Sequence, residues 1–511
     1  MSDVYDSWKP LRNFLRKLDV IDSLGVVRAY SVRNSLKNKP PFPSDIEPHK
    51  WIDKPNTFLE WDMETLAREV VICCNHQSNP SNSLKKANDM AKAVNKMREI
   101  EDFIAENYIS QKNILREVTV RLTHRQFKYR TDRPSIKSMV RYSKIFGNDD
   151  VAPFLKEKVG IDAKKIFTLG IGMWSHYTHT FGMYYPLEHL DITDITEKDY
   201  EKFMSYFSKS LSELKNLLTD SSERHFDDEF FYGYHSLYSY PIVFTEIDSR
   251  PAHVCPVPTL LYWRISSGLY YDLISEKGFD NAFGKSFENY VGSVLEATFS
   301  HTSAVKLFSG EKNTGNNPNT CDWIIDQASS CLFLECKTKR LAFDAKTTLL
   351  NDDVLFKQLG VLGDAIAQCY LSLTAYVLKK YKSPKYILTK DKSAYVSVVT
   401  LEKWFLMGEQ LELLDEIVKE KLENAGLDIS LIEKYPYVVM SVDDVEELAF
   451  LAKTLDVGGV IRSYIEKSKK EGWEFTTHLI ENYKKERSSY RYVFQDDIQN
   501  ALTAKLTNKS Q

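Results

Sequence analysis

The chain has 511 residues, of which 43% are hydrophobic, 27% charged and 13% aromatic, a composition typical of globular rather than disordered proteins. Its formal net charge of −4 excludes a globally basic protein that coats nucleic acid, so any nucleic-acid contact must use a local basic surface. The seven cysteines show neither metal-site nor disulfide spacing, which predicts reduced thiols. The first residues carry no basic-then-apolar leader, and the sequence contains no run of about 18 apolar residues that could span a bilayer. We therefore expect a cytoplasmic protein without membrane contact.

Residues 1–274 are predicted to form a mainly helical region that recognises nucleic acid or assembles subunits. From Ser81 to about Lys128, apolar residues recur near a period of 3.6 without Gly or Pro between them, which predicts a long helix. Two interpretations of this helix remain open. It is either a packed core helix or an arm through which two chains dimerise.

A basic segment lies at residues 116–144, where only Glu117 and Asp132 oppose nine lysines and arginines. Aromatic residues are interleaved with these cations, as in a surface that grips a phosphate backbone and stacks bases. The alternative is a solvated helix face, which is the usual role of a run of charges. The candidate nucleic-acid-binding residues of this segment are Arg121, Arg125, Lys128, Arg130, Arg133, Lys137 and Arg141.

The periodicity then changes to that of an amphipathic helix followed by two strands. Asn281–Phe299 has one apolar helical face, and two apolar runs, 321–326 and 331–338, flank the turn residues 327–330. These runs predict a β-hairpin. Glu335 and Lys337 are two residues apart and therefore share one face of their strand, and an antiparallel partner strand brings Asp322 onto the same face.

Two carboxylates beside a lysine suit the chemistry of phosphodiester hydrolysis. A hard cation such as Mg²⁺ or Mn²⁺ prefers oxygen ligands and keeps several waters, so Asp322 and Glu335 with the carbonyl of Cys336 suffice to hold it. The metal polarises the phosphate and lowers the pKa of a bound water. Lys337 would orient that water or neutralise charge in the transition state.

The combination of Asp322, then Glu335, Cys336 and Lys337 resembles the PD-(D/E)XK nuclease superfamily. The resemblance covers residues 275–400, about a quarter of the chain, and implies a restriction-endonuclease-like α/β core, in which helices flank a mixed central sheet. It also implies roles for Glu288 on the preceding helix, as an acid near the metal, and for Gln368 on the following helix. Cys321 stands where many members have proline.

Two further expectations concern the flanks of this core. The strand Ala394–Thr400 would be the last of the core, and Lys339 would extend the basic end of the lysine strand towards phosphate, although solvation at the surface explains Lys339 equally well. Residues 401–511 are predicted to form a helical C-terminal domain that serves as a scaffold or binds a partner.

The function expected from these features is Mg²⁺-dependent hydrolysis of DNA, in the manner of bacterial nucleases that defend against foreign DNA. Two alternatives remain: an RNA-cleaving, toxin-like nuclease, and a DNA-binding subunit whose partner gates cleavage. Cutting both strands of a duplex calls for two active sites, so the expected partners are DNA and either a second copy of the chain or a different protein subunit.

Overall fold

The computed structural model describes residues 3–75, 82–108, 129, 133–184, 194–220, 224–227, 230–231, 233–310, 320–338, 352–381, 386–406 and 408–495. Their contacts divide the chain into two compact units, one ending at Lys277 and the other beginning at Gly278. Each unit combines a sheet with helices, so the α/β class expected from the sequence is confirmed for the described residues. None of the helices described is both long and apolar enough to cross a membrane.

The first unit is mainly helical. Its helices in chain order are α1 (Asp3–Leu15), α2 (Val20–Ser35), α3 (Glu60–Cys73), α4 (Ala87–Tyr108), α5 (Ile136–Phe146), α6 (Ala152–Val159), α7 (Ala163–His179), α8 (Glu197–Phe207), α9 (Leu211–Thr219), α10 (Pro258–Arg264) and α11 (Leu269–Leu273). Helix α4 covers the first part of the long helix predicted from Ser81 to Lys128, and residues 109–128 lie outside the described residues.

The first unit also contains a four-stranded sheet that the helical prediction did not include. Its strands are β1 (Gly182–Tyr184), β2 (Ser208–Ser210), β3 (Ile242–Ile247) and β4 (Arg250–Val254), in the order β1-β4-β3-β2. β4 is antiparallel to β1 and β3, whereas β2 is parallel to β3. β1 and β2 have three residues each, too few to show the alternation that reveals a strand in sequence.

Helix α3 lies in the core of this unit, since all 14 of its residues are buried. Buried charges need partners, and Glu64 of α3 has three: it accepts hydrogen bonds from His235 Nε2 at 3.2 Å and from the hydroxyls of Tyr129 and Tyr238. The same helix holds a second buried cluster, formed by Glu69, Arg68, Arg224 and Trp8. Charged side chains inside a buried helix thus connect distant parts of the first unit.

The second unit is built on a five-stranded sheet, β5 (Lys306–Ser309), β6 (Trp323–Asp326), β7 (Ser330–Lys337), β8 (Ser393–Thr400) and β9 (Tyr437–Ser441), in chain order. β5, β6 and β7 are antiparallel neighbours, and β7, β8 and β9 are parallel neighbours. Its helices are α12 (Phe279–Phe299), α13 (Asp352–Val377), α14 (Glu409–Asn424), α15 (Leu431–Lys434), α16 (Val442–Leu451), α17 (Val457–Ser463), the π-helix Tyr464–Lys469, α18 (Phe475–Asn482) and α19 (Lys484–Arg487).

Helices cover both faces of this sheet. On one face Phe333 of β7 meets Tyr376 of α13, with ring centroids 5.8 Å apart. Trp323, which pairs with Leu334, points to the opposite face because side chains alternate along a strand, and there it meets Gly292 of α12. The sheet is therefore the middle layer of three, which buries most residues of β6, β7, β8 and β9 on both sides.

The described residues after position 400, 401–406 and 408–495, are part of this unit rather than a separate helical domain. Strand β9 pairs with β8, so the sheet continues beyond the strand expected to be the last. Gln327, in the β6–β7 turn, donates through Nε2 to the carbonyls of Ala452 and Leu455, and its Oε1 accepts from Val457 N at 2.7 Å. The boundary predicted at residue 400 falls inside the unit because these pairings join segments that are far apart in sequence.

Candidate active site

The hairpin predicted from the sequence forms and determines where the acidic residues lie. β6 and β7 are antiparallel, and Trp323 pairs with Leu334. Continuing this register by one residue places Asp322 opposite Glu335. The backbone N–H of Cys336 donates to Asp322 Oδ2 at 2.7 Å, which holds the Asp322 carboxylate against the end of β7.

Lys337 joins the two carboxylates as predicted from its position two residues after Glu335. Its Nζ lies 2.8 Å from Glu335 Oε1. Glu335 is 3% exposed, whereas the Lys337 side chain is 31% exposed. The lysine therefore lies between the buried Glu335 carboxylate and the surface.

Glu335 has one oxygen without a partner. Its Oε2 is buried and accepts no hydrogen bond, while Oε1 accepts from Lys337. A buried polar atom without a partner normally costs about 1–3 kcal/mol, and more when it is charged. Oε2 beside Asp322 thus fits a bound cation or a water that the cation holds.

The electrostatics of the site also reflect its burial. Burial raises the pKa of Asp322 and of Glu335 above the usual carboxyl range, and neighbouring negative charges act in the same direction. Burial alone lowers the pKa of Lys337, but the attraction of Glu335 and Asp322 outweighs it and the pKa is raised. The lysine thus stays protonated, whereas the two carboxylates resist being ionised together.

Glu288, on α12, contributes a third negative charge to this site. Its charge acts on both Asp322 and Glu335 and raises their pKa values. The Glu288 carboxylate accepts a hydrogen bond from Lys285, one turn earlier in the helix. Lys285 was not singled out by the sequence, because a lysine three residues before a glutamate is common on any exposed helix.

Gln368 is half-buried on α13, next to Cys369. The charges of Glu335 and Asp322, together with burial, raise the pKa of the Cys369 thiol, so this part of α13 lies within electrostatic range of the acidic pair. No hydrogen bond links the Gln368 side chain to them. Ser372, one turn further along, accepts a hydrogen bond from Cys321 N at 3.0 Å and anchors the residue before Asp322.

Of the two cysteines beside the acidic residues, Cys321 is buried and Cys336 is half-buried. Burial raises the pKa of Cys321 and of Cys336, which makes both poor nucleophiles. Cys336 contributes its backbone N–H to Asp322. Among the residues that the structure describes, no group of three His, Cys, Asp or Glu side chains is arranged to hold a metal ion, so a cation held by Asp322 and Glu335 would need backbone oxygen and water as its further ligands.

The basic segment is only partly described. Arg133 is exposed, and its guanidinium lies 3.5 Å from Glu60. Lys137 is half-buried on α5. Arg141, on the same helix, is 3% exposed, which leaves its guanidinium inside the first unit rather than at a surface that phosphate can reach. The other candidates, Arg121, Arg125, Lys128, Arg130 and Lys339, lie outside the described residues.

Compared with protein-family models, with curated proteins and with solved structures, the chain shows no significant match. The resemblance to PD-(D/E)XK nucleases therefore rests on the residues named above and on their arrangement.

Proposed function

We propose that this chain is a metal-dependent nuclease that hydrolyses phosphodiester bonds in DNA, with Asp322, Glu335 and Lys337 as its active site. The observation that carries the proposal is the buried oxygen Oε2 of Glu335. This oxygen accepts no hydrogen bond, and the charge of Asp322 acts on the same carboxyl group. A hard divalent cation with oxygen ligands supplies the missing partner and the missing positive charge.

The order of elements supports a restriction-endonuclease-like core. Helix α12 precedes the antiparallel strands β5, β6 and β7, and α13 connects β7 to the parallel strand β8. The acidic residues lie at the start of β6 and near the end of β7, beside the preceding helix. This is the arrangement that the PD-(D/E)XK resemblance implies, with β9 as an additional strand.

Each residue has a distinct task in this proposal. A bound Mg²⁺ or Mn²⁺ would polarise the scissile phosphate and lower the pKa of a water. Asp322 and Glu335 would hold the ion, with the Cys336 carbonyl and Glu288 as further oxygen donors. Lys337, whose ammonium Glu335 holds at 2.8 Å, would neutralise charge that develops on the phosphate.

Gln368, which is half-buried on α13, is proposed to face the substrate, as the PD-(D/E)XK resemblance implies. Arg133 and Lys137 are the described members of the proposed DNA-contact surface. A catalytic unit preceded by a large N-terminal region is the basis for proposing a role in bacterial defence against foreign DNA, an argument from analogy of layout.

The test is cleavage of linear and circular double-stranded DNA with Mg²⁺ or with a chelator, comparing the wild type with Glu335→Gln and Lys337→Met. Both substitutions keep the size of the side chain and remove its charge. We expect activity to fall by about 100-fold or more in each variant. Lys306→Met is the matched control, since Lys306 is an exposed lysine on β5 of the same sheet.

Cutting that survives both substitutions would place the chemistry elsewhere and refute the proposal. Cutting of RNA but not of DNA would favour the toxin-like alternative with the same site. DNA binding without cutting would favour a subunit whose partner gates cleavage, and adding candidate partners would then restore Mg²⁺-dependent activity.

A further inference from the structure

The ends of two helices form one surface in the first unit. Helix α1 packs against α4, and the turn after α1 is joined to the segment before α4 by a hydrogen bond from Asp19 N to the Asn82 carbonyl at 2.7 Å. The last turn of α1 therefore lies beside the first turns of α4. There the Lys92 ammonium lies 4.9 Å from the centre of the Phe14 ring, so the exposed side chains of the two helix ends belong to the same surface.

Five basic side chains reach this surface from three elements, and together they are called the α1–α4 basic surface: Arg16, Lys17, Lys92, Lys96 and Lys215. The first two occupy the turn after α1, the next two lie one turn apart on α4, and the last belongs to α9. Lys215 Nζ lies 3.5 Å from the carbonyl of Cys74, and the next residue, Asn75, donates through Nδ2 to the carbonyl of Arg16 at 3.1 Å. The segment that follows α3 therefore brings α9 to the end of α1.

The charges of this surface are not balanced by nearby carboxylates. None of its five cations forms an ion pair with a residue that the structure describes. Two neighbouring acids are engaged elsewhere, since Asp6 pairs with Lys9 and Asp22 pairs with Lys85. Asp89, one turn before the first lysine of the surface on α4, forms no ion pair with a described residue either. Like charges gathered without counter-charge repel one another, and a bound polyanion removes that repulsion.

The other exposed side chains of the surface favour nucleic acid over an anionic membrane. Asn13 on α1 and Asn88 on α4 are both exposed, and amide side chains donate hydrogen bonds to phosphate oxygens. A helix that binds a membrane surface also presents large apolar side chains that insert between lipids. Among the side chains that the structure describes on α1 and α4, none of the large hydrophobic ones is exposed.

We propose that the α1–α4 basic surface binds the phosphate backbone of nucleic acid. The inference rests on the proposed function in one respect, which is that the nucleic acid is DNA. It places a DNA contact in the first unit, outside the basic segment 116–144. Within that segment Arg133 lies 3.5 Å from a carboxylate oxygen of Glu60, whereas the cations of the α1–α4 basic surface have no such partner among the described residues.

The experiment measures binding of the full-length chain to a fluorescently labelled DNA duplex by anisotropy, with a chelator present and over a series of sodium chloride concentrations. The variant combines Arg16→Gln, Lys17→Gln and Lys92→Gln, the three exposed members of the surface. Each lost phosphate contact lowers the slope of log affinity against log salt by about 0.9, so we expect the slope to fall by about 2–3 and the affinity to fall roughly 100-fold at about 0.1 M salt.

The control changes the net charge by the same amount at other sites of the first unit. It combines Lys156→Gln, Lys164→Gln and Lys198→Gln, which are exposed on α6, α7 and α8, and it is expected to bind DNA almost as the wild type does. Both triple variants should unfold at nearly the wild-type temperature, because substitutions at exposed sites change stability little. Equal affinities and slopes in the two triple variants would overturn the inference, as would a wild type that binds no DNA.

Two further arms identify the polyanion and separate this inference from the proposed function. Binding to vesicles of anionic phospholipid but not to DNA would overturn the inference and make the surface a membrane contact. Binding to an RNA duplex with the same dependence on the three residues would support the phosphate contact. Because binding is measured without metal, loss of cutting in Glu335→Gln with DNA binding intact supports the proposed function whatever the triple variant shows. DNA binding through this surface, without cutting under any metal condition, would support the inference while the proposed active site fails.

Discussion

Replacing Glu335 with glutamine is expected to stabilise the metal-free protein while removing its proposed activity. Glu335 is 3% exposed, and burial together with the charge of Asp322 raises its pKa in the folded protein. A carboxyl group whose folded pKa exceeds its unfolded pKa contributes to stability while it is protonated, and this contribution is lost as the pH rises through the folded pKa. At pH 8 the ionised carboxylate therefore opposes folding, whereas glutamine carries no charge.

The size of the effect follows from the two interactions that change. Each pKa unit of elevation corresponds to about 1.4 kcal/mol at a pH above both values. The lost ion pair with Lys337, which is 31% exposed, offsets about 0–1 kcal/mol, and the glutamine oxygen still accepts its hydrogen bond. We expect a net gain of roughly 1–3 kcal/mol at pH 8, which raises the unfolding temperature by about 2–4 °C per kcal/mol in a domain of this size.

Thermal unfolding with a chelator, at pH 8 and at pH 5, measures the effect. The gain should shrink at pH 5, where wild-type Glu335 is increasingly protonated. Glu296→Gln is the control, because Glu296 is an exposed glutamate on the nearby helix α12. Two outcomes would refute the argument that burial and the charge of Asp322 disfavour the ionised form of Glu335. The Glu335→Gln variant would unfold at or below the wild-type temperature at pH 8, or its unfolding temperature would rise by the same amount at both pH values.

Three further predictions concern the metal, the C-terminal region and the first unit. Mg²⁺ at about 100 times its dissociation constant should stabilise the wild type by about 2.7 kcal/mol and leave Asp322→Asn unchanged; equal shifts in thermal unfolding would contradict the assigned ligands. Asp456→Ala should lower the free energy of urea unfolding by about 2 kcal/mol, because Asp456 caps α17 through Gly459 N and accepts hydrogen bonds from Ser329 and Ser330. Glu471→Ala, at an exposed site, should leave the free energy of unfolding unchanged. An equal loss of stability in the two variants would argue against the capping role. Burial raises the pKa of the Glu64 carboxyl, but hydrogen bonds from His235, Tyr129 and Tyr238 outweigh burial and lower this pKa to about 2. Glu64 therefore contributes stability above its unfolded pKa, and this contribution is lost as the pH falls towards 2. Glu64→Ala should cost about 3 kcal/mol at pH 7 and make stability depend less on acidic pH; acid unfolding identical to that of the wild type would count against this role.

The β6–β7 hairpin could be predicted because its determinants are local. Strand residues that alternate between faces, a turn at 327–330 and a helix before them were all visible in the sequence, and β6, β7 and α12 form within two residues of the predicted bounds. The strand Ser393–Thr400 also forms where Ala394–Thr400 was predicted. Each of these elements depends on a residue's near neighbours in the chain.

Non-local pairings could not be predicted in the same way. Strand β9 joins the sheet through Tyr437–Ser441, and the described residues from 408 to 495 belong to the second unit. A five-residue strand after helices carries no signal of which strand it will pair with. Arg141 shows the same limit for charge: a basic residue in a basic segment predicts exposure, yet it is 3% exposed.

The sequence alone determined that Asp322, Glu335 and Lys337 share one face of a hairpin. The period of two along a strand and the 13-residue separation of the two acids, which a short turn spans, leave little freedom. Tertiary structure decided what those groups experience. The layers above and below the sheet bury Glu335 and leave its Oε2 without a donor, and the contact of Trp323 with Gly292 places α12 against β6. Burial and close packing depend on segments that meet only when the chain folds, which is why local periodicity cannot predict them.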